Sequence, residues 1–396
     1  MQLVDRKALL QIAPLWRLGF RPFFLAGTAF AALAIPLWLG VLAGWWPAWQ
    51  PAGGALGWHR HEMLFGFGVA IIAGFLLTAA QNWTGRPGLS GRPLTALALL
   101  WLAARLAWLL GAPLWLLIPL ELAFLPTVAL VLGRMLWAVR QVRNYPIVGV
   151  LTLLTLADLL VLVGLAQGNE SWQRQGVIAA LWLVAAMMGL IGGRVIPFFT
   201  QRGLGRTAQV PALPWLEWGA QGGLVLLAVL TATGPALQAQ AWLGALFALV
   251  ALLHGVRLAR WHDAALWQVP LLWSLHLAYA WLVLALAGQA LWHFGVLANA
   301  SLALHALGVG GMGGLILAMI ARVSLGHTGR PLQPPAAMAW AFALVNLGAA
   351  ARVLLPPFWP LGSLLLAGAA WTGAFALFVW YYAPMLCKPR LDGQPG

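Results

Sequence analysis

Met63-Leu64-Phe65-Gly66-Phe67-Gly68-Val69-Ala70-Ile71-Ile72-Ala73-Gly74-Phe75-Leu76-Leu77-Thr78-Ala79-Ala80 runs for eighteen positions without a charged side chain. A helix that crosses a bilayer needs roughly 20 mainly apolar residues, so this segment reads as a span in lipid. The rest of the chain has the same character. Of 396 residues, 62% are apolar and 8% charged, and the mean hydropathy is +0.88. A soluble domain carries about a quarter charged residues. A soluble enzyme, a nucleic-acid binder and a disordered scaffold are thereby excluded.

Breaks at polar, proline and glycine residues divide the sequence into twelve expected spans: 22–44, 62–82, 94–112, 114–137, 146–166, 176–199, 213–233, 237–257, 266–288, 296–323, 336–355 and 360–383. The third and fourth are separated only by Gly111-Ala112-Pro113, which demands a tight hairpin. The expected fold is all-α, a single integral membrane domain over 1–396. Lys and Arg near span ends are retained in the cytoplasm. Seventeen basic residues, beginning with Arg6, Lys7, Arg17 and Arg21, fall at the N-terminus and on every second loop. Only Arg60, Arg174 and Arg352 fall on the other side. This bias predicts a multi-pass membrane protein with both termini cytoplasmic. The net charge of +14 is scattered singly, so it is no nucleic-acid footprint. Many of the 25 tryptophans suit the membrane interface.

His61 to Pro87 matches His305 to Pro331 at a constant offset of 244, down to Thr84-Gly85-Arg86-Pro87 against Thr328-Gly329-Arg330-Pro331. A fainter copy places Arg194-Val195 against Arg322-Val323 and Thr200 against Thr328. Three four-helix units (1–140, 141–260 and 261–396) would account for this. Their pseudo-threefold arrangement would be analogous to the haem–copper oxidase core.

Ionisable groups within a membrane are costly and mark function by default. By depth, His59, His61, His293 and His305 fall toward the outer side. His254, His262 and His327 fall toward the inner side, and His276 lies mid-span. His305 and His327 are 22 residues apart, about 33 Å along a helix, so they cannot share one ion. His61 and His305 stand at matching depths on helices of the same direction, and neutral imidazoles suit haem iron or copper. They are the expected axial pair. Gly308, Gly310, Gly311, Gly313 and Gly314 would let a flat macrocycle approach the backbone, or would serve close helix packing. His59, His276 and His327 complete the candidate metal ligands; for His327, an inner-turn cap is the alternative.

Glu62 is a candidate proton carrier or histidine orienter, and Tyr279 a candidate catalytic partner one turn from His276. Glu121 and Asp158 lie in spans four and five, where a proton path and a helix–helix hydrogen bond compete. Arg194 and Arg322 would pair with propionates or anions, or snorkel toward the cytoplasm. Phe65 stands where a second histidine would complete HExxH, which excludes the zinc-protease helix. One cysteine, Cys387, excludes internal disulfides, Cys-ligated iron–sulfur clusters and c-type haem attachment.

Trp58-His59-Arg60-His61-Glu62-Met63-Leu64-Phe65-Gly66-Phe67, Gly74-Phe75-Leu76-Leu77-Thr78 and Asn82-Trp83-Thr84-Gly85 resemble the NnrS family. So do Leu18-Gly19-Phe20-Arg21-Pro22-Phe23-Phe24, Gly193-Arg194-Val195-Ile196-Pro197-Phe198-Phe199 and the turn from Arg322 to Pro331. The resemblance runs through the whole chain. It implies a polytopic inner-membrane protein holding haem, here haem b, and copper, linked to denitrification and resistance to nitric oxide.

The expected function is therefore binding or reduction of nitric oxide at a His-ligated haem, an oxidoreductase reading. Nitric oxide is small and apolar and reaches a buried iron through the bilayer. No soluble cytochrome or flavin fold is readable, so electrons would come from quinol or a redox partner. The competing class is a transporter of a metal, haem or small anion, because broken glycine-rich spans with internal repeats also fit transport.

Overall fold

The computed structural model describes residues 6–208 and 210–395, with side chains from residue 9 onward. The side chains of Arg6 and Lys7, which the charge reading uses, lie outside the described residues. Among the described residues, twelve helices are long and apolar enough to cross a membrane. They are α1 (Phe20–Leu42), α2 (Gly54–Thr84), α3 (Arg92–Leu109), α4 (Leu114–Ala138), α5 (Val142–Ala166), α6 (Glu170–Gly203), α7 (Pro214–Ala232), α8 (Ala241–Trp261), α9 (Pro270–His293), α10 (Ala300–His327), α11 (Ala337–Leu354) and α12 (Pro360–Cys387). Helices close their backbone hydrogen bonds within the segment, which is why lipid admits them. The chain is a multi-pass, all-α membrane protein.

The boundaries differ most where polar residues continue a helix. α2 begins at Gly54, after positive φ angles at Gly53 and Gly54 (69° and 70°) turn the chain into it. Its first two turns carry Trp58, His59 and His61, which the hydropathy reading left outside the span. α6 likewise runs from Glu170 to Gly203. The hairpin between α3 and α4 turns at Gly111, whose φ of 63° an L side chain rarely adopts. A Cβ there would also lie 2.7 Å from the Gln50 carbonyl oxygen.

Two compact units emerge. The first comprises residues up to Val177 with Ile320–Pro335 and the chain from Phe375 onward. The second comprises Ile178–Met319 and Ala336–Ala374.

The repeat at offset 244 has a local structural counterpart. In α2, a π-helical stretch spans Glu62–Gly68, immediately after His61. In α10, one spans Ala306–Gly313, immediately after His305. Both helices end the same way. Gly85 and Gly329 have φ of 63° and 71°, and Thr84 and Thr328 donate back to the carbonyls of Ala80 (2.7 Å) and Ser324 (2.6 Å). The fainter third copy shares only part of this. Thr200 donates to Ile196 O at 2.8 Å, but α6 is α-helical throughout. What repeats locally is a pair.

Candidate metal centre

His61 is the last α-helical residue before the wider π turn of α2, and the charged side chains of four helices meet there. Its ring is fully buried. Nδ1 lies 3.0 Å from Glu62 Oε1, and Nε2 lies 3.1 Å from Asp158 Oδ1 on α5. Nε2 is also 4.0 Å from Glu121 Oε1 on α4. Arg105 on α3 donates to Glu62 through Nη1 and to Glu121 through Nη2. All five side chains are at most 4% exposed.

The local sequence explains how so much charge fits. At Gly66 a Cβ would lie 2.9 Å from Arg105 Nη1, 3.0 Å from the Phe30 ring and 3.1 Å from Glu62 Oε2, so any side chain there would crowd both charged groups. A π turn shifts backbone hydrogen bonding to the fifth residue and is frequent at functional sites. The Gly66 carbonyl accepts from the Trp101 indole N–H at 2.9 Å. The His61 ring stacks on Trp108 (3.9 Å between centroids, 22° between planes) and on Phe65 (4.9 Å, 30°). Trp108 in turn donates to Glu121 Oε2 at 3.0 Å. Trp58, Trp108, Leu117 and Leu162 belong to one buried apolar cluster beside the charges, which raises the cost of leaving any of them unpaired.

The pairing is nevertheless incomplete. Three carboxylates face one guanidinium. Two negative charges remain for His61, protons or a cation to offset. Glu62 Oε2 is buried without a hydrogen-bond partner among the described residues. One donor atom each from His61, Glu121 and Asp158 lies within 4.8 Å of the other two. A divalent metal ion fits this donor set. One imidazole and two carboxylates suit iron(II), manganese or zinc better than copper(I), which prefers thiolates and thioethers.

Haem does not fit His61 as arranged. Both ring nitrogens face carboxylates and the ring is packed between aromatic side chains, so neither nitrogen is free for the expected axial role in this arrangement. His305, in the second unit, has the opposite character. Its Nδ1 lies 2.7 Å from the Ser301 carbonyl, which fixes the proton on that nitrogen and leaves the Nε2 lone pair free of any hydrogen bond among the described residues. That is how a metal-ligating histidine is usually oriented. One turn on, a Cβ at Gly308 would meet nothing within 4 Å. This edge of α10 fits an axial ligand.

The other glycines of α10 do not form a slot. A Cβ at Gly310 would run into the Trp281 indole and one at Gly313 into Trp371. Gly311 faces Leu307 and Met188 at 3.2 and 3.4 Å. In the structure Gly310 and Gly311 serve helix contacts.

His59 does not join His61. Because α2 starts before both, they point apart, and His59 stacks on Trp38 at 4.7 Å with an 8° interplanar angle. His276 is buried with Nδ1 3.0 Å from Leu272 O and Nε2 3.4 Å from Trp261 O. The expected pairing of Tyr279 with His276 is replaced by another. The Tyr279 hydroxyl meets His254 Nδ1 at 2.6 Å and accepts from Arg257 Nη1 at 2.6 Å. His254 Nε2 faces the Ala220 carbonyl at 3.1 Å, so Nε2 carries the proton and Nδ1 accepts from tyrosine. Arg257 holds Glu217 through Nε and Nη2, at 3.3 and 2.7 Å. His254, which the depth reading placed toward the inner side, is fully buried in this network.

His327 rests 5.4 Å from the Phe20 ring. Arg322 is buried and Arg194 half-buried. Arg105 and Trp108 were missed as site residues. Arg105 sits six residues before Gly111 and Glu121 ten after it, so folding the hairpin brings a lone intramembrane cation toward an acid. That signal was available.

Among curated proteins, no relative matches the chain. The family model described as NnrS protein matches residues 14–390. That is nearly the full length, and the chain belongs to the NnrS family.

Proposed function

We propose that the chain is a metal-bearing protein of a bacterial inner membrane that binds or reduces nitric oxide. The observation carrying this reading is the buried excess of carboxylate around His61, with three ligand atoms within 4.8 Å of one another. His61, Glu121 and Asp158 would hold a divalent metal, with Glu62 beside it as carrier of a proton. Iron or manganese held there would supply Lewis acidity and redox capacity toward a small diatomic ligand, and zinc would supply Lewis acidity alone. A haem b, as the family resemblance implies, would take His305 as ligand, and copper is the alternative metal there.

Arg105 fixes Glu62 and Glu121 in place and keeps the carboxylates from spreading apart. Trp108 and Phe65 hold the imidazole plane and exclude water, while an apolar gas still enters from lipid. Reduction would require electrons from quinol or a redox partner and would make the protein an oxidoreductase; binding alone would make it a sensor or scavenger. The cytoplasmic placement of both termini belongs to the same reading and rests on the seventeen-to-three bias of basic residues. A threefold arrangement of four-helix units likewise remains a proposal, supported by the sequence offsets alone.

The test uses the purified full chain. Metal content and the pyridine haemochrome spectrum would be measured for the wild type, Asp158→Asn and Glu121→Gln, followed by nitric oxide titration. A stoichiometric metal that both variants lose supports the assignment. Wild-type protein that takes up no metal overturns it.

A further inference from the structure

Arg21 lies in the first turn of α1 and is fully buried. A guanidinium stays charged under all ordinary conditions and carries five N–H donors, so it must be paired where water is excluded. Its Nη1 donates to two backbone carbonyls at the end of α12 and just beyond, Leu386 O at 2.7 Å and Lys388 O at 2.8 Å. Nε and Nη2 are buried without a hydrogen-bond partner among the described residues. These two nitrogens form one edge of the planar group, and their N–H bonds run parallel. That edge is the fork that receives two oxygens of a carboxylate or phosphate.

The surroundings add positive charge and no free carboxylate. Arg17, Arg390 and Arg330 lie near enough to act on Arg21, as does the exposed thiol of Cys387. Arg17 is occupied by the carbonyls of Leu10 and Ile12, at 2.9 and 2.8 Å. Arg390 pairs with Asp392 through Nη2 at 2.6 Å and through Nε at 2.9 Å, so that carboxylate is already committed. Nη1 of Arg390 reaches the His327 carbonyl at 3.1 Å, and Arg330 donates to Thr328 O at 3.4 Å. The Phe20 ring lies 5.4 Å from both the Arg21 guanidinium carbon and the His327 ring. The start of α1 and the ends of α10 and α12 therefore converge around one buried arginine edge whose two N–H groups have no hydrogen-bond partner among the described residues. Helix ends of this kind stand at the level of lipid headgroups, where basic pockets between spans bind phosphate groups.

We propose that the Arg21 fork, with Arg330 and His327 at its rim, is a phosphate-binding site at the helix ends of the first unit, remote in sequence and chemistry from the acidic centre at His61. The phosphate would come from a phospholipid headgroup or from free phosphate. Two of its oxygens would meet Nε and Nη2, and the neighbouring cations would offset its remaining charge. This assignment does not depend on the proposed function.

The experiment has two arms, each with the full chain, Arg21→Gln and Arg330→Ala. In the first, delipidated protein in detergent at low ionic strength is titrated with inorganic phosphate and followed by thermal unfolding. In the second, protein in phosphatidylcholine vesicles, with and without phosphatidylglycerol, is compared for unfolding midpoint and for lipid retained in native mass spectrometry. The expected result is saturable stabilisation in at least one arm, weakened about tenfold or more by Arg21→Gln, as for a lost charge-assisted bidentate pair. Arg330→Ala should weaken it less. A response to phosphatidylglycerol alone assigns the phosphate to a headgroup, and a response to inorganic phosphate assigns a free anion. Absence of saturation in both arms overturns the proposal. If Arg21→Gln does not fold, Arg330→Ala decides, and unchanged binding in that variant equally overturns it.

Discussion

His61 and Asp158, 97 residues apart in sequence, meet at 3.1 Å in the interior of the first unit. Asp158→Asn keeps the shape of the side chain but removes one anionic donor. Affinity for a divalent metal should fall at least tenfold, because even residues outside the ligand set change metal affinity by about 10–100-fold. Equilibrium dialysis against iron(II) and manganese(II) measures this. Retention of wild-type affinity would remove Asp158 from the ligand set.

Arg105 is the one cation among three carboxylates, so its loss should be far more damaging than loss of a surface arginine. Removing one partner of a buried pair typically costs about 3–5 kcal/mol, because the other charge is left uncompensated. Arg105→Gln should therefore lower the thermal midpoint sharply. Adding Glu62→Gln should recover part of the loss by removing an anion that the arginine no longer neutralises. If the double variant is less stable than Arg105→Gln alone, the pair is not what holds these helices together.

The twelve spans were legible because lipid imposes one requirement on each, an unbroken apolar run, and composition reports that directly. The repeat was legible too, since Thr84 and Thr328 precede glycines whose positive φ ends a helix. The centre was only half legible. Glu62, Glu121 and Asp158 stand out as acids inside spans, but hydropathy fixes depth along a helix and says nothing about which helices are neighbours. His61 and His305 have equal depth and matching motifs. Their surroundings still differ, because Asp158 reaches one ring while the other is held by Ser301 of its own helix.

Tyr279 offers a test of the network that replaced its expected partner. Tyr279→Phe leaves His254 Nδ1 and Arg257 Nη1 each short of a contact and should cost about 1–3 kcal/mol. A double-mutant cycle with His254→Phe should give a coupling of about 1 kcal/mol, as expected for residues in contact. A cycle with His276→Leu should give near zero. Coupling to His276 in place of His254 would contradict the hydrogen bonds described.

Outside the spans, Asp263 accepts from Arg206 Nε at 2.9 Å and Nη2 at 3.1 Å. That pairing, helped by the Ala265 N–H, holds its carboxyl below the ordinary value of 3.8. A lowered folded value means that the pair stabilises fully above pH 3.8 and loses this contribution as pH falls through the lower folded value. Asp263→Asn should be slightly less stable than wild type at neutral pH, with the gap closing in acid. Unfolding midpoints taken from pH 7 downward check the sign, and a gap that widens in acid contradicts it.

Gly308 and Gly310 separate the two roles that glycine can play in α10. A methyl group at Gly310 must enter the space of the Trp281 indole, which is itself anchored by donation to Asn346 Oδ1 at 2.9 Å and cannot swing aside freely. Gly310→Ala should therefore cost about 1–3 kcal/mol through overpacking. At Gly308 the added methyl meets nothing within 4 Å, and alanine is the better helix former, so Gly308→Ala should be neutral or slightly stabilising. If the open space beside Gly308 receives the edge of a macrocycle held by His305, the same substitution should shift the absorption spectrum of the loaded protein without destabilising the chain. Equal losses of stability at the two positions would show that the glycines share one packing role.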